Sequence, residues 1–308
     1  MTRKMISRQV TNVYVLRALN FRKYSVKLEK EPQDYVNLAY ASYELTDSKK
    51  KAPPLIILHG LLGSKSNWAT LCKIYQAKTN PNRQIIALDA RNHGDSPHHP
   101  RHTYEALSSD LKAFLNNLDI GKASLLGHSM GGGTAMSFSL KHPEIVEKLV
   151  VCDFSPTSNN LGDLRSYLEA MEKVKIPKGI SMSVARSTAE FQLQQFGIRH
   201  RSRRKFLTTN LVRSADGSYG WRVNIPALTM SCKDLSSIRP KKGQVYLGPT
   251  LFIGGTNSGY LKPREFSKIR DLFPNSEFKF IEGAGHWVHF DNRKEFAAIS
   301  LKFLNDNA

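Results

Sequence analysis

Three short patterns put chemistry-bearing residues at the ends of apolar runs. The sharpest is Ala123 to Gly133, in which Gly127-His128-Ser129-Met130-Gly131 fits the G-x-S-x-G nucleophile elbow. Leu125-Leu126 leads in as a strand, and the small or apolar stretch Gly132 to Leu140 leads out as a helix. A sharp turn between the two pushes the serine hydroxyl to the tip. Glycine at 127 and 131 lets neighbouring backbone approach without a Cβ clash. A serine hydroxyl is a poor nucleophile at neutral pH, so Ser129 needs an adjacent base, normally a histidine held by a carboxylate.

The expected base is His286, on the glycine-flanked loop Glu282-Gly283-Ala284-Gly285-His286-Trp287 between the last strand and the final helix. His289 lies toward that helix with no glycine before it and is set aside. The acid is harder to place. The loop after Leu251-Phe252-Ile253 carries Asn257 but no carboxylate, whereas Asp153 ends the strand that follows the elbow helix. Asp153 is therefore the expected acid, with Asp234 in reserve. Two backbone N–H groups should receive the developing oxyanion: that of Met130, next to the nucleophile, and that of Leu61 in His59-Gly60-Leu61. Asp89, Arg91 and His93 are expected to brace these loops rather than to touch substrate.

The elements that must carry these residues alternate. Pro54 to Leu58, Gln84 to Asp89, the elbow strand and Val146 to Cys152 are apolar runs suited to strands buried on both faces. Helical spacing separates them, around Asn67 to Ala77 and from Thr103 to Asn117. The pattern predicts a mostly parallel, doubly wound α/β sheet. Tyr35 to Leu45 alternates and predicts one or two antiparallel strands. From about 154 to 248 the alternation stops, and a helical cap is expected between two strands of the sheet. Its helices are expected from Leu161 to Val174, around Phe191 to Phe196, from Arg199 to Val212 and from Ile225 to Leu235, with a tight turn at Ala215-Asp216-Gly217-Ser218. Strands at Thr250 to Ile253 and Glu277 to Ile281, a helix from Pro263 to Leu272 and a closing helix from Asn292 to Leu304 complete the order.

Four stretches carry a family resemblance: His59-Gly60-Leu61-Leu62-Gly63-Ser64, Asp89 to Pro97, Gly127 to Gly132, and Gly283-Ala284-Gly285-His286-Trp287. Together they resemble the branch of the α/β-hydrolase superfamily that unites bacterial YbfF-type esterases with mitochondrial α/β-hydrolase domain-containing proteins. The resemblance spans about Pro53 to Leu304 and is weakest in the cap. It implies an eight-stranded sheet with an inserted helical cap, and hydrolysis of carboxylic esters, acylglycerols or acyl thioesters. It implies no metal and no organic cofactor. Bacterial members place their acid where Asp153 stands, while the aspartate assigned in the cap of some animal members is replaced here by Pro226. The resemblance also carries an alternative, in which the protein is a mainly non-catalytic partner protecting the lipoylated 2-oxoglutarate dehydrogenase complex.

Composition sets the outer bounds. The chain has 308 residues, 40% hydrophobic and 23% charged, with no apolar run long enough to cross a bilayer. Cys72, Cys152 and Cys232 have no metal-site spacing, and three thiols suit a reducing compartment. Of the net charge of +19, six cations fall within residues 1–24, which contain no acid. This Arg-rich segment predicts a mitochondrial transit peptide cut after Tyr24, leaving a hydrolase domain over 25–308 in the mitochondrial matrix. Lys49-Lys50-Lys51 reads as a solvated loop. Arg199 to Lys205 lacks aromatics interleaved for stacking on bases, so nucleic acid is not an expected partner. It reads as a solvated helix face that could meet an acidic partner or lipid headgroups.

Overall fold

The apolar quartets Leu55–Leu58 and Ile85–Leu88 have no polar face to offer water, and each lies inside a parallel sheet covered on both sides. The computed structural model describes residues 34–44, 52–157 and 162–306; the segment 1–24 and Lys49-Lys50-Lys51 lie outside them. The first half contains β1 (Tyr40–Tyr43), β2 (Leu55–Leu58), α1 (Ala69–Lys78), β3 (Ile85–Leu88), α2 (Tyr104–Asn117), β4 (Ala123–His128), α3 (Met130–Lys141) and β5 (Val146–Cys152). An insertion follows, made of α4 (Gly162–Lys173), α5 (Met182–Gln195), α6 (Arg201–Thr208), the hairpin β6 (Leu211–Arg213) and β7 (Tyr219–Trp221), and α7 (Ile225–Ser231). The sheet then resumes with β8 (Thr250–Gly255), α8 (Phe266–Leu272), β9 (Ser276–Ile281), α9 (Val288–Asp291) and α10 (Arg293–Asn305).

The strands are ordered β1-β3-β2-β4-β5-β8-β9, with β1 antiparallel and every other neighbour parallel. Successive side chains point to opposite faces, so one sequence run feeds two cores. Ile56, Ile86, Leu125 and Leu149 pack with Leu111, Phe114 and Phe138 from α2 and α3. Leu55, Ile57, Leu126 and Val150 pack with Leu71, Tyr75, Phe296 and Leu304 from α1 and α10. Each such residue contributes about 1.5–3 kcal/mol on burial. The helices start where polar side chains supply the missing acceptors. Thr103 Oγ1 accepts from Ala106 N–H at 3.3 Å to cap α2, and Asn292 Oδ1 accepts from Glu295 N–H at 3.3 Å to cap α10.

Two expectations are corrected. The main sheet has seven strands among the described residues, not eight. Within the described part of the alternating N-terminal run, only Tyr40–Tyr43 pairs as a strand, because side chains already satisfy the backbone before it. Val36 N–H donates to Asp110 Oδ1 at 2.7 Å and Ala39 N–H to Ser96 Oγ at 2.9 Å. The helix expected from Arg199 to Val212 stops at Thr208 and turns into a hairpin. Here Thr208 Oγ1 and Thr209 Oγ1 donate back to the carbonyls of Lys205 and Phe206, at 3.0 and 2.6 Å, competing with the next helical turn. Among the described residues, no helix is long and apolar enough to cross a membrane.

Register sets up the site. His128 pairs with Cys152 and Cys152 with Ile253, so β4 and β5 end level with Ile253 of β8, which runs two residues further. The residues that step off β4 and β5 there are Ser129 and Asp153.

Candidate active site

Ser129 leaves β4 with φ 53° and ψ −118°, a conformation that costs about 1–3 kcal/mol for a residue with a Cβ. Its N–H donates to Cys152 O at 3.1 Å and its carbonyl accepts from Gly133 N–H at 2.9 Å, so the turn is pinned on both sides. The flanking glycines are obligatory. A Cβ on Gly127 would lie 2.2 Å from Gly131 O, and one on Gly131 would lie 2.2 Å from Leu58 O. Leu62, Asn92 and Asp153 also have positive φ, and only Asp119 of the five such non-glycine residues described lies elsewhere. Strain of this kind collects where a site requires it.

Asp153 is fully buried, and the structure brings it to His286: Nδ1–H of the imidazole donates to Oδ2 at 2.7 Å. That bond fixes the tautomer, because a carboxylate accepts the Nδ1 proton and leaves Nε2 as the free base. Oδ2 also accepts from the Ser258 hydroxyl, and Oδ1 from Gly255 N–H at 3.4 Å. Tyr260 stacks on the imidazole, with ring centroids 3.9 Å apart and planes at 22°. His286 in turn lies against the elbow. Its carbonyl accepts from His128 Nε2–H at 2.9 Å, and the two rings are 4.8 Å apart. Burial pushes the His128 pKa well below the ordinary imidazole value, so this bridge is made by a neutral ring. The Ser129 side chain, 9% exposed as a residue, makes no side-chain hydrogen bond among the described residues. Bonds between nucleophile and base are commonly long before substrate is bound. Asp234, the reserve acid, sits in a short turn of the insertion and pairs with Arg239 at 3.1 Å on the surface, whereas the carboxylate on His286 is that of Asp153.

The two expected oxyanion donors follow neighbouring parallel strands, β2 and β4, at the same end of the sheet. Met130 opens α3, so its N–H has no intrahelical partner. Leu61 lies in a loop fastened by two buried imidazoles. His59 Nδ1–H donates to Gly60 O at 2.7 Å, while its Nε2 accepts from Ala90 N–H at 3.0 Å. His93 repeats the pattern, donating to Arg91 O at 2.9 Å and accepting from Leu62 N–H at 3.1 Å. A carbonyl can only accept and an N–H can only donate, so both rings must be neutral. Burial lowers both pKa values in keeping with that. The insertion adds a third tie, Asn210 Nδ2–H to Leu62 O at 2.8 Å. Arg91 pairs with Asp110 through two nitrogens at 2.6 and 2.7 Å, and Asp89 accepts from Lys65 N–H and Asp95 N–H. All three of Asp89, Arg91 and His93 hold loops in place.

His289 is buried, stacks on Trp68 at 4.4 Å and leaves Nδ1 without a partner. Sequence reasoning missed Ser258 and Tyr260. The loop after β8 has no carboxylate of its own; it supplies instead a hydroxyl and an N–H to a carboxylate one strand away. Among the described residues no cluster of His, Cys, Asp and Glu could hold a metal ion.

A family model described as the alpha/beta hydrolase fold matches residues 53–293. The sn-1-specific diacylglycerol lipase ABHD11 of Danio rerio is 42% identical over 85% of this chain and 82% of its own length. Esterase YbfF of Escherichia coli is 30% identical over 82% and 93%. Among solved structures, a marine microorganism esterase superposes with a TM-score of 0.78 at 31% identity, covering 87% of this chain and 99% of that one. The chain belongs to the α/β-hydrolase family.

Proposed function

We propose, from this membership of the α/β-hydrolase family, that the chain is a serine hydrolase cleaving carboxylic esters of lipid-like acyl substrates, acylglycerols or acyl thioesters. The observation that carries the reading is the His286–Asp153 bond of 2.7 Å beside the strained elbow of Ser129. Ser129 Oγ attacks the acyl carbon as its proton passes to His286 Nε2, and Asp153 stabilises the imidazolium. The N–H groups of Leu61 and Met130 receive the negative charge, an arrangement whose loss typically costs about 10²–10³ in rate per donor. When the carbon–oxygen or carbon–sulfur bond breaks, the alcohol or thiol leaves with the His286 proton, and the acyl group stays on Ser129. Water, giving a proton to Nε2, attacks that ester; the free acid leaves, and the proton returns to Ser129.

The diacylglycerol lipase and esterase names of the relatives support an acyl substrate, as do apolar residues on the insertion such as Leu164 and Met171. A panel of diacylglycerols, short acyl esters and acyl thioesters tests the reading. Turnover is expected with at least one oxygen or sulfur ester and should vanish in Ser129→Ala; turnover surviving that change would refute it. The acid-free residues 1–24 support delivery to the mitochondrial matrix. Import into isolated mitochondria should yield a chain starting at Ser25, and uptake without cleavage would contradict the expected processing site.

A further inference from the structure

Where α5 meets α6, the insertion presents two phenylalanines and a run of cations to solvent. Phe191 is 64% exposed and Phe196 40% exposed, at the end of α5. Arg199, Arg201 and Lys205 follow at once, all exposed. Between Glu190 and Asp216 the chain has six Lys and Arg and no acidic residue. The corner is firmly built. Arg204, buried beneath it, donates to the carbonyls of Ile198 and Arg199 at 2.8 and 2.6 Å, and Leu207 packs into the core. Arg203 donates to the Tyr167 hydroxyl at 2.5 Å. Arg199, Arg201 and Lys205 have no ion-pair partner among the described residues.

The corner also lies close to the site. Phe206, on the inner side of α6, packs on the Trp287 ring at 5.5 Å, and Trp287 follows His286. Asn210, two residues past α6, holds the Leu62 carbonyl.

We propose that this α5–α6 corner docks on a bilayer containing anionic phospholipid, from which the acyl substrate enters. The substrate clause rests on the hydrolase reading above; the docking does not. Basic side chains beside exposed aromatics match the two layers of such a surface, headgroup phosphates outside and acyl chains within. An acidic protein surface or duplex nucleic acid would use the charges alone, and the phenylalanines precede the cations rather than alternating with them as stacking of successive bases requires. Each cation near an anionic bilayer is worth roughly a fivefold change in binding, so three account for about a hundredfold.

The test is flotation of the full chain with phosphatidylcholine vesicles, with and without phosphatidylglycerol. Binding is read without turnover, and hydrolysis of a water-soluble short-chain ester is measured separately, so failure of docking and failure of the hydrolase reading are distinct. The parent should bind the anionic vesicles more tightly, and salt should weaken that binding. Arg199→Gln/Arg201→Gln/Lys205→Gln should lose about a hundredfold on anionic vesicles, and Phe191→Ser/Phe196→Ser should weaken binding to both kinds. Both variants carry the six cations of residues 1–24 unchanged and should keep the circular dichroism and short-ester turnover of the parent. Equal vesicle binding by parent and triple variant would overturn the proposal. So would a parent that ignores vesicles but self-associates through the two phenylalanines.

Discussion

Replacing Ser258 by alanine removes one of the three donors that hold the Asp153 carboxylate. The carboxylate is fully buried, and the other two are His286 Nδ1–H at 2.7 Å and the long contact from Gly255 N–H at 3.4 Å. Water has no easy access to make up the loss. A hydrogen bond to a charged group is worth about 1.5–3 kcal/mol, so Ser258→Ala should destabilise the fold by that amount. The catalytic cost should be smaller, because the bond exists in both ground and transition states and only its orienting part is lost. We expect about 1.4 kcal/mol in the barrier, a tenfold fall in kcat with KM little changed. Steady-state kinetics on a short acyl ester and urea unfolding at neutral pH measure the two effects. Ser258→Thr, which keeps the hydroxyl, should restore most of both. An alanine variant with parental kcat and parental unfolding midpoint would refute the view that this hydroxyl positions the acid.

Asp153→Asn leaves the packing intact but presents an amide to His286 Nδ1, favouring the wrong tautomer; kcat should fall by roughly 10⁴ with the fold retained. Retained activity there, with loss in Asp234→Asn, would move the acid to the insertion. Acid should destabilise the protein through its buried imidazoles. Burial, with the neighbouring His286 and Arg293, pushes the His289 pKa down to about 3. The unfolded chain therefore takes up that proton as pH falls below about 6.5 while the folded chain does not, and stability drops by about 1.4 kcal/mol per pH unit for each such group down to its folded pKa. His289→Phe keeps the stack on Trp68, removes an unpartnered nitrogen and should flatten the slope between pH 6.5 and 4 by about one group's share. Unfolding free energies at several pH values measure it, and an unchanged slope would contradict it.

Much of the site was legible because its residues sit where apolar runs stop. Ser129 and Asp153 each follow a buried strand and the loop of His286 follows the half-exposed β9, and parallel pairing is enough to bring those strand ends to one end of the sheet. The less legible parts depend on side chains reaching across the sequence. Ser258 carries no signature of its own; its role exists only because the turn after β8 faces Asp153. The bracing expected of His93 is legible from its loop, but that His59 shares it, and which tautomer each ring takes, depend on backbone partners 31 positions away. Among the described residues the N-terminal run yields one strand for the same cause, since Asp110 and Ser96 take the Val36 and Ala39 N–H groups that a neighbouring strand would otherwise have taken. The end of α6 was hidden because no glycine or proline interrupts Arg199 to Val212, and the local hydroxyl bonds of Thr208 and Thr209 decide against a longer helix.

The relay from Ser129 to His286 to Asp153 is tested most directly by covalent trapping with a fluorophosphonate, which reacts only with an activated hydroxyl. Mass spectrometry of the full chain should find one adduct, on Ser129, and the labelling rate should collapse in both His286→Ala and Asp153→Asn. An adduct elsewhere, or labelling of Ser129 at the parental rate without His286, would contradict the relay.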